Sequence, residues 1–286
     1  MITVFGATGT IGAPLLASLR AKGARLRAVT HNPDRCAALQ AKGHEVVVAD
    51  FDNPQELEKA CKGADRAFLV TPAHPDMRRW KANAITAATR AGVRHMVMST
   101  GLGASPKSRM AFPKWHSESQ EMLKHSGVDW TLIQPTYFMQ NILWQADTIA
   151  AQSTYLDDLG GPISWVDARD IADVAAEALT GDGHQGKAYG LTGAESLDGD
   201  EIAALLGKVT GREITVRPVA TEESLAAMEA SGMDRQVASA MAELAGLAPK
   251  GYLAGIETTI EDVLGRPARR FADFLSENKA AFQGRA

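Results

Sequence analysis

Gly6, Gly9 and Gly12 stand in the run Gly-Ala-Thr-Gly-Thr-Ile-Gly, a spacing that serves one kind of chemistry: holding phosphate oxygens against bare backbone. Gly6 permits a sharp turn out of a strand, Gly9 lets the backbone reach a pyrophosphate without a Cβ, and Gly12 lets a helix lie close to a sheet. Residues 2–5 read as a strand, and Ile11 to Lys22 read as a helix ended by Gly23, which are the flanks this motif requires. The helix start offers unpaired N–H groups and a positive dipole end. Thr8 and Thr10 add hydroxyls, and Ile11 adds a backbone N–H. The pattern predicts a bound nicotinamide dinucleotide.

The second strand, 25–29, decides between its two forms. An NAD-selective site carries an acid at that strand's end, on the ribose hydroxyls. Here the chain continues Thr30, His31, Asn32, Pro33, with no acid until Asp34. A 2′-phosphate would meet no repelling carboxylate, and His31 and Arg35 offer it positive or donor groups. NADP (NADPH) is therefore favoured over NAD. The same logic places ligand contacts after the later strands: Asp50, Phe51 and Asp52 beside the adenine, Thr71 and Pro72 after the fourth strand, and Ser99 after the fifth.

Those strands belong to repeated βα units, which predict a parallel sheet. Strands are expected at 46–49, 66–70, 94–98 and 129–133. Helices are expected at Glu56–Lys62, Met77–Ala91 and His116–His125. The second half is less regular. It carries a strand at Ile163–Val166, a helix at Arg169–Leu179, and a strand at 187–191 that returns to the sheet. A helix at Asp198–Val209 opens on an Asp198/Glu201 capping box, 213–218 are extended, and two helices fill 221–246. The expected fold class is α/β, a Rossmann-type doubly wound parallel sheet with a smaller C-terminal α+β region. Its domains are expected at 1–145 (dinucleotide binding) and 146–286 (substrate side), with some segments of the latter returning to the main sheet.

The 286 residues are 45% hydrophobic and 22% charged with net charge −4, ordinary for a globular protein. Without a basic run, neither nucleic acid nor an anionic membrane is an expected partner. No stretch reaches the ~20 apolar residues that span a bilayer, and the opening lacks a secretory pattern, so a cytoplasmic location is expected. Cys36 and Cys61 read as reduced packing residues. No His/Asp/Glu spacing predicts a metal.

Several stretches together resemble a known family: GATGTIG, ADFDNPQEL, FLVTP, HSxxxxxLKHSGVDWTLIQPTYFMQN, WVDARDIADVAAEAL and YGLTGAESL. They resemble the NmrA-like, atypical short-chain dehydrogenases, nearest to the bacterial NADPH:quinone oxidoreductase and triphenylmethane reductase group. The resemblance implies a nicotinamide pocket closed by the loop of Pro135, Thr136, Tyr137, Phe138, Met139, Gln140 and Asn141. It also implies a structural role for Arg169 and Asp170 at a helix start. Two positions depart from the group. An arginine often follows the second strand where Thr30 and His31 stand here, and a glutamate often stands four residues after the histidine where this chain has Gln120.

Ordinary short-chain dehydrogenases protonate a carbonyl with a tyrosine assisted by a lysine four residues on. The tyrosines here, Tyr137, Tyr155, Tyr189 and Tyr252, are followed at that distance by Asn141, Leu159, Gly193 and Ile256. A reductase can dispense with the pair if its acceptor is already electrophilic, since the protein then has only to align the partners and exclude water. His116 and Tyr137 are the candidate catalytic residues, with His116 as proton donor or orienting group because an unperturbed imidazole titrates near neutrality. Phe138, Trp144, Phe112 and Met110 are expected to wall the cleft. The expected function is an NAD(P)H-dependent reductase passing hydride directly to a quinone-like or otherwise conjugated small molecule. The alternative is a non-catalytic dinucleotide-binding redox sensor. A second copy of the chain or a regulatory protein remains open as a partner.

Overall fold

The computed structural model describes residues 1–283, and they form two compact units. The first begins with alternating strands and helices: β1 (Ile2–Val4), α1 (Gly12–Ala21), β2 (Leu26–Thr30), α2 (Cys36–Ala41), β3 (Glu45–Val48), α3 (Pro54–Cys61), β4 (Arg66–Leu69), α4 (Met77–Arg90), β5 (His95–Ser99), α5 (Ala111–Lys124) and β6 (Asp129–Pro135). The chain then builds α6 (Ala146–Gln152) and β7 (Thr154–Asp157) of the second unit. It returns to the first with α7 (Ala168–Thr180) and β8 (Lys187–Leu191). From Leu191 onward it belongs to the second unit, with α8 (Gly199–Thr210), β9 (Thr215–Pro218), α9 (Thr221–Ala230), α10 (Arg235–Ala245), α11 (Thr259–Leu264), α12 (Phe271–Glu277) and α13 (Lys279–Phe282).

The seven-stranded sheet runs β3-β2-β1-β4-β5-β6-β8. Val4 pairs in parallel with Ala28 on one side and Phe68 on the other. The strand order thus reverses at β1, and the crevice outside the carboxyl ends of β1 and β4 is the topological switch point where such sheets take ligands. One face of the sheet buries Phe5, Val29, Leu57, Leu69, Ile85, Met96, Met98 and Leu132 together. On α7, Ala168, Ala172, Ala175 and Ala176 are fully buried, so this helix approaches α1 closely. Two polar rungs at four-residue spacing fix its register: Ser18 donates to Asp173 (2.6 Å) and Lys22 pairs with Glu177 (2.6 Å).

The second unit packs Tyr155, Trp165, Leu206, Phe271, Phe274 and Phe282 into its own core. The Arg212 guanidinium ties this core together by donating to the carbonyls of Ala150 (2.8 Å), Ile149 (3.2 Å) and Phe282 (2.8 Å). The expected Asp198/Glu201 capping box is present. No helix among the described residues is long and apolar enough to cross a membrane. Cys36 and Cys61 are free thiols, and burial pushes Cys61 up to about 12.

Three expectations are corrected. The division expected at 145/146 falls at Pro135, and the segments that return to the first unit are residues 168–190, where the alanine face of α7 packs on α1. Ile163–Val166 forms no regular strand; Ile163 makes one isolated bridge to Leu197 and Val166 one to Phe138. Helix α5 starts five residues before His116, so the histidine sits inside the helix rather than at its start.

His95, at the start of β5, is 3% exposed. Its Nε2 lies 2.9 Å from Thr131 Oγ1, and its buried Nδ1 has no partner. Burial, then the Arg66 charge, lowers its pKa to about 4. Between about 4 and the ordinary 6.5 the unfolded chain takes up a proton that the folded protein refuses, so stability falls as pH drops through that window. The thermal midpoint should decline from pH 6.5 to 4, and His95→Phe should flatten part of that slope. Identical slopes for the two proteins would contradict this account.

Candidate functional site

After Val4 the backbone makes one more sheet bond, Phe5 N–H to Phe68 O (2.9 Å), and then turns at Gly6 with φ +71°. A Cβ on Gly6 would lie 2.6 Å from Val70 Cγ1 and 2.8 Å from Val70 O. Gly12 is tighter still, since its Cβ would fall 2.0 Å from the Gly6 carbonyl oxygen. Helix α1 therefore starts directly on the loop. Between these glycines Thr8, Gly9 and Thr10 are exposed, while the Ile11 side chain is buried. No acidic residue stands in the first turn of α1. On the neighbouring strand end, next to Val70, the Thr71 hydroxyl oxygen is shut from solvent and has no hydrogen-bond partner. A rim that tolerates no Cβ, a helix start without an acidic residue and an orphaned hydroxyl at the switch point together fit a diphosphate. Pro72, the next residue, is exposed.

At the end of β2 the side chains divide. The Asn32 N–H donates to Thr30 Oγ1 (3.1 Å) and the Asp34 N–H to Asn32 Oδ1 (2.8 Å), so Thr30 and Asn32 serve the local turn. His31 and Arg35 are exposed. After β3, the Asp52 N–H donates to Asp50 Oδ1 (2.8 Å). Phe51 lies between Phe5 (6.0 Å between ring centroids) and Trp80 (6.1 Å). Asp52 pairs with Arg79 and accepts from Trp80 Nε1 (3.1 Å), and Trp80 stacks on His74 at 4.3 Å. The result is an aromatic shelf, edged with carboxylates, beside the glycine loop's strand.

The end of β5 is clasped from two helices. On α4, Met77, Ala84, Ile85 and Ala88 form a buried stripe, and Lys81 sits within it at 1% exposure. Its Nζ donates to the Ser99 carbonyl (3.2 Å). Burial, with no carboxylate to oppose it, lowers its pKa to about 7. From α5, Gln120 Nε2 donates to Thr100 Oγ1 (3.0 Å). The His116 ring presses on Gly101, where a Cβ would be 3.0 Å from its Cδ2. Phe112 stacks on the other side of the imidazole at 6.2 Å, and the buried Nδ1 has no partner. Burial first, and then the Lys81 charge, hold His116 well below its ordinary pKa. The expectation of a histidine titrating near neutrality is thereby corrected. The ring is neutral at pH 7 and can give a hydrogen bond, but it is not an imidazolium acid. Glu121, the residue after Gln120, pairs with Lys124 (2.9 Å).

Tyr137 and its neighbours belong to the second unit. The Thr136 N–H donates to Leu191 O (3.0 Å), the Val166 N–H to Tyr137 O (2.8 Å) and the Met139 N–H to Val166 O (2.9 Å). Gln140 donates to Asp167 (2.9 Å), and the Asn141 N–H donates to Phe138 O (3.0 Å). The Tyr137 ring meets Trp165 edge-on at 5.8 Å. Burial, then the Asp158 carboxylate, raises its phenol above the usual range, so Tyr137 keeps its proton. Trp144, expected as a wall, is 71% exposed. Among the described residues no three His, Cys, Asp or Glu are grouped to hold a metal.

Lys81 is the residue that sequence reasoning missed. Its signal was present as a lysine at a core position of an amphipathic helix.

The chain is 42% identical over 283 residues to an NAD(P)H azoreductase of Xenophilus azovorans, covering 99% of each chain. It is 34% identical over 286 residues to a (4-alkanoyl-5-oxo-2,5-dihydrofuran-3-yl)methyl phosphate reductase of Streptomyces griseus, again over 99% of each. The structure of an NADPH-dependent quinone oxidoreductase from Escherichia coli, complexed with NADPH, matches with a TM-score of 0.87 at 28% identity, over 97% of this chain and 99% of that one. Residues 1–269 match the model of the NmrA-like family, and with the glycine loop and sheet order already described, the chain belongs to that family.

Proposed function

We propose that this protein is an NADPH-dependent reductase that delivers hydride directly to a conjugated acceptor, a quinone or an azo compound. The observation that carries the reading is the cradle at the switch point, where Gly6 and Gly12 exclude any Cβ and Thr71 holds an unused hydroxyl. Full-length similarity to reductases named for azo and other conjugated substrates supports it. Gly6, Thr8, Gly9, Thr10, Ile11, Gly12 and Thr71 take the pyrophosphate. The shelf of Asp50, Phe51 and Asp52 takes the adenine. His31 and Arg35, exposed at a strand end without an acid, receive the 2′-phosphate.

A bound reduced nicotinamide supplies the hydride. The chain's own residues bind, align and exclude water. When hydride adds to a quinone or an N=N bond, the charge left behind spreads over the acceptor's own π system, so a strong acid such as an activated tyrosine is not needed. The His116 imidazole, held neutral, donates a hydrogen bond to that charge, and Ser99 and Gly101 fix its surroundings.

Mixing the protein with NADPH and a panel of quinones and azo dyes should consume reduced nicotinamide, read by its absorbance, while simple aliphatic ketones should not react. No consumption with any acceptor would sink the reductase, and different affinities for the oxidised and reduced cofactor would then favour a sensor. Arg35→Ala should weaken NADPH binding roughly tenfold and leave NADH nearly unchanged, as titration calorimetry would report. Equal losses for both would remove Arg35 from the 2′-phosphate. His116→Ala should lower turnover about a hundredfold with dinucleotide affinity intact. Unchanged turnover would take His116 out of the mechanism.

A further inference from the structure

A lysine buried without a carboxylate is expensive, and Lys81 has only the Ser99 carbonyl as a hydrogen-bond partner among the described residues. It also lies next to working geometry. Ser99 and Gly101 are two residues apart; one takes the Lys81 ammonium and the other takes the His116 ring. We propose that Lys81 is a positioning residue for the reductive step, a buried cation at the end of β5 that acts through His116 by polarising its N–H donor toward negative charge on the acceptor. This rests on the reductase reading above.

The physics is that of a fixed charge in a dry site. In a low-dielectric interior a cation's potential falls off slowly, so an ammonium need not touch the acceptor to stabilise an anion forming near it. The same potential opposes a second positive charge on the imidazole, in accord with the direction of the His116 shift. Other charged groups around α4 do not answer the Lys81 charge. On α4 itself, Arg78 is paired with Glu118 of α5 (2.6 Å), and Arg79 with Asp52 and Asp76. On α3, Glu56 receives the Asp50 N–H, while Glu58 and Lys59 are exposed. On α5, Lys114 is exposed and Glu121 pairs with Lys124. Arg66 of β4 donates to Leu179 O (2.7 Å), and His95 of β5 is kept neutral. His116 is the titratable group on which the Lys81 charge acts.

A lysine whose pKa is lowered to about 7 loses this charge as pH rises through neutrality. In the wild-type full chain without cofactor, nitrogen and carbon NMR of the lysine side chains should show Lys81 titrating near pH 7. Inflection at the ordinary lysine value would overturn the proposal, and this measurement needs no variant. In Lys81→Met the His116 ring should titrate about one pH unit higher than in wild type; an unmoved ring overturns it. With NADPH and a quinone, wild-type kcat/KM should fall about tenfold as pH rises through 7. Lys81→Met should be low and flat, and Lys81→Arg, whose charge persists, should be high and flat with NADPH affinity within about twofold of wild type. A Met variant that keeps the wild-type profile overturns the role of Lys81 while leaving the reductase standing. Absent NADPH consumption in wild type removes the reductase reading, and the catalytic half of this proposal with it.

Discussion

Helix α1 begins where no side chain can exist. The Gly6 carbonyl oxygen occupies the space a Cβ on Gly12 would need, at 2.0 Å, and the left-handed turn at Gly6 is itself closed to a Cβ by Val70. These two exclusions bring strand, loop and helix into one backbone-on-backbone contact. The start of α1 then stands at the point where strand order reverses. Every later feature of the candidate site is arranged around that point: Thr71 one residue beyond the obstructing Val70, the aromatic shelf after β3, and the clasped end of β5.

The clasp at β5 breaks a rule that the rest of the first unit keeps. Its core is mostly apolar, and its buried polar groups are partnered with few exceptions. The exceptions near the carboxyl ends of β4 and β5 are the Thr71 hydroxyl, the His116 Nδ1 and an ammonium with a single carbonyl. Unsatisfied buried polar groups cost stability, and a packing argument alone would replace Lys81 by leucine or methionine. His95 is the instructive contrast. It is also buried with an orphaned nitrogen, but it lies at the opposite end of the same strand and is held by Thr131, away from the switch point. Local cost at the carboxyl end of a strand, with no structural return, is what a site prepared for a ligand looks like.

Periodicity and glycine spacing made the sheet legible in the sequence, because a short apolar run in a parallel sheet leaves an unmistakable trace between amphipathic helices. The seven strands of the main sheet fell within two residues of expectation, whereas Ile163–Val166 made no strand and β7 was not expected. What was not legible depends on contacts distant in sequence. The return of α7 to the first unit follows from small side chains meeting α1 more than 150 residues away, and composition alone shows only an alanine-rich helix. Thr30 and Asn32, expected at the cofactor by their position after β2, also close the turn they stand in, as short polar groups there commonly do. Lys81 was hidden for a simpler reason. Charged residues are read as marking the solvent face, so a lysine four residues after Met77 and three before Ala84 passes as the end of the stripe instead of its centre.

The missing Tyr-x-x-x-Lys pair takes a different meaning once His116 and Lys81 are placed. That pair lowers a phenol's pKa so that it can surrender a proton; here the phenol of Tyr137 is raised instead, and the imidazole is kept from gaining one. Neither group is an acid at neutrality. On the reductase reading proposed above, a neutral imidazole supplies no acid to an alkoxide as it forms, so that reading asks for an acceptor whose reduced form spreads its own charge by conjugation. On that reading, the less acid the protein offers, the more delocalised its acceptor has to be.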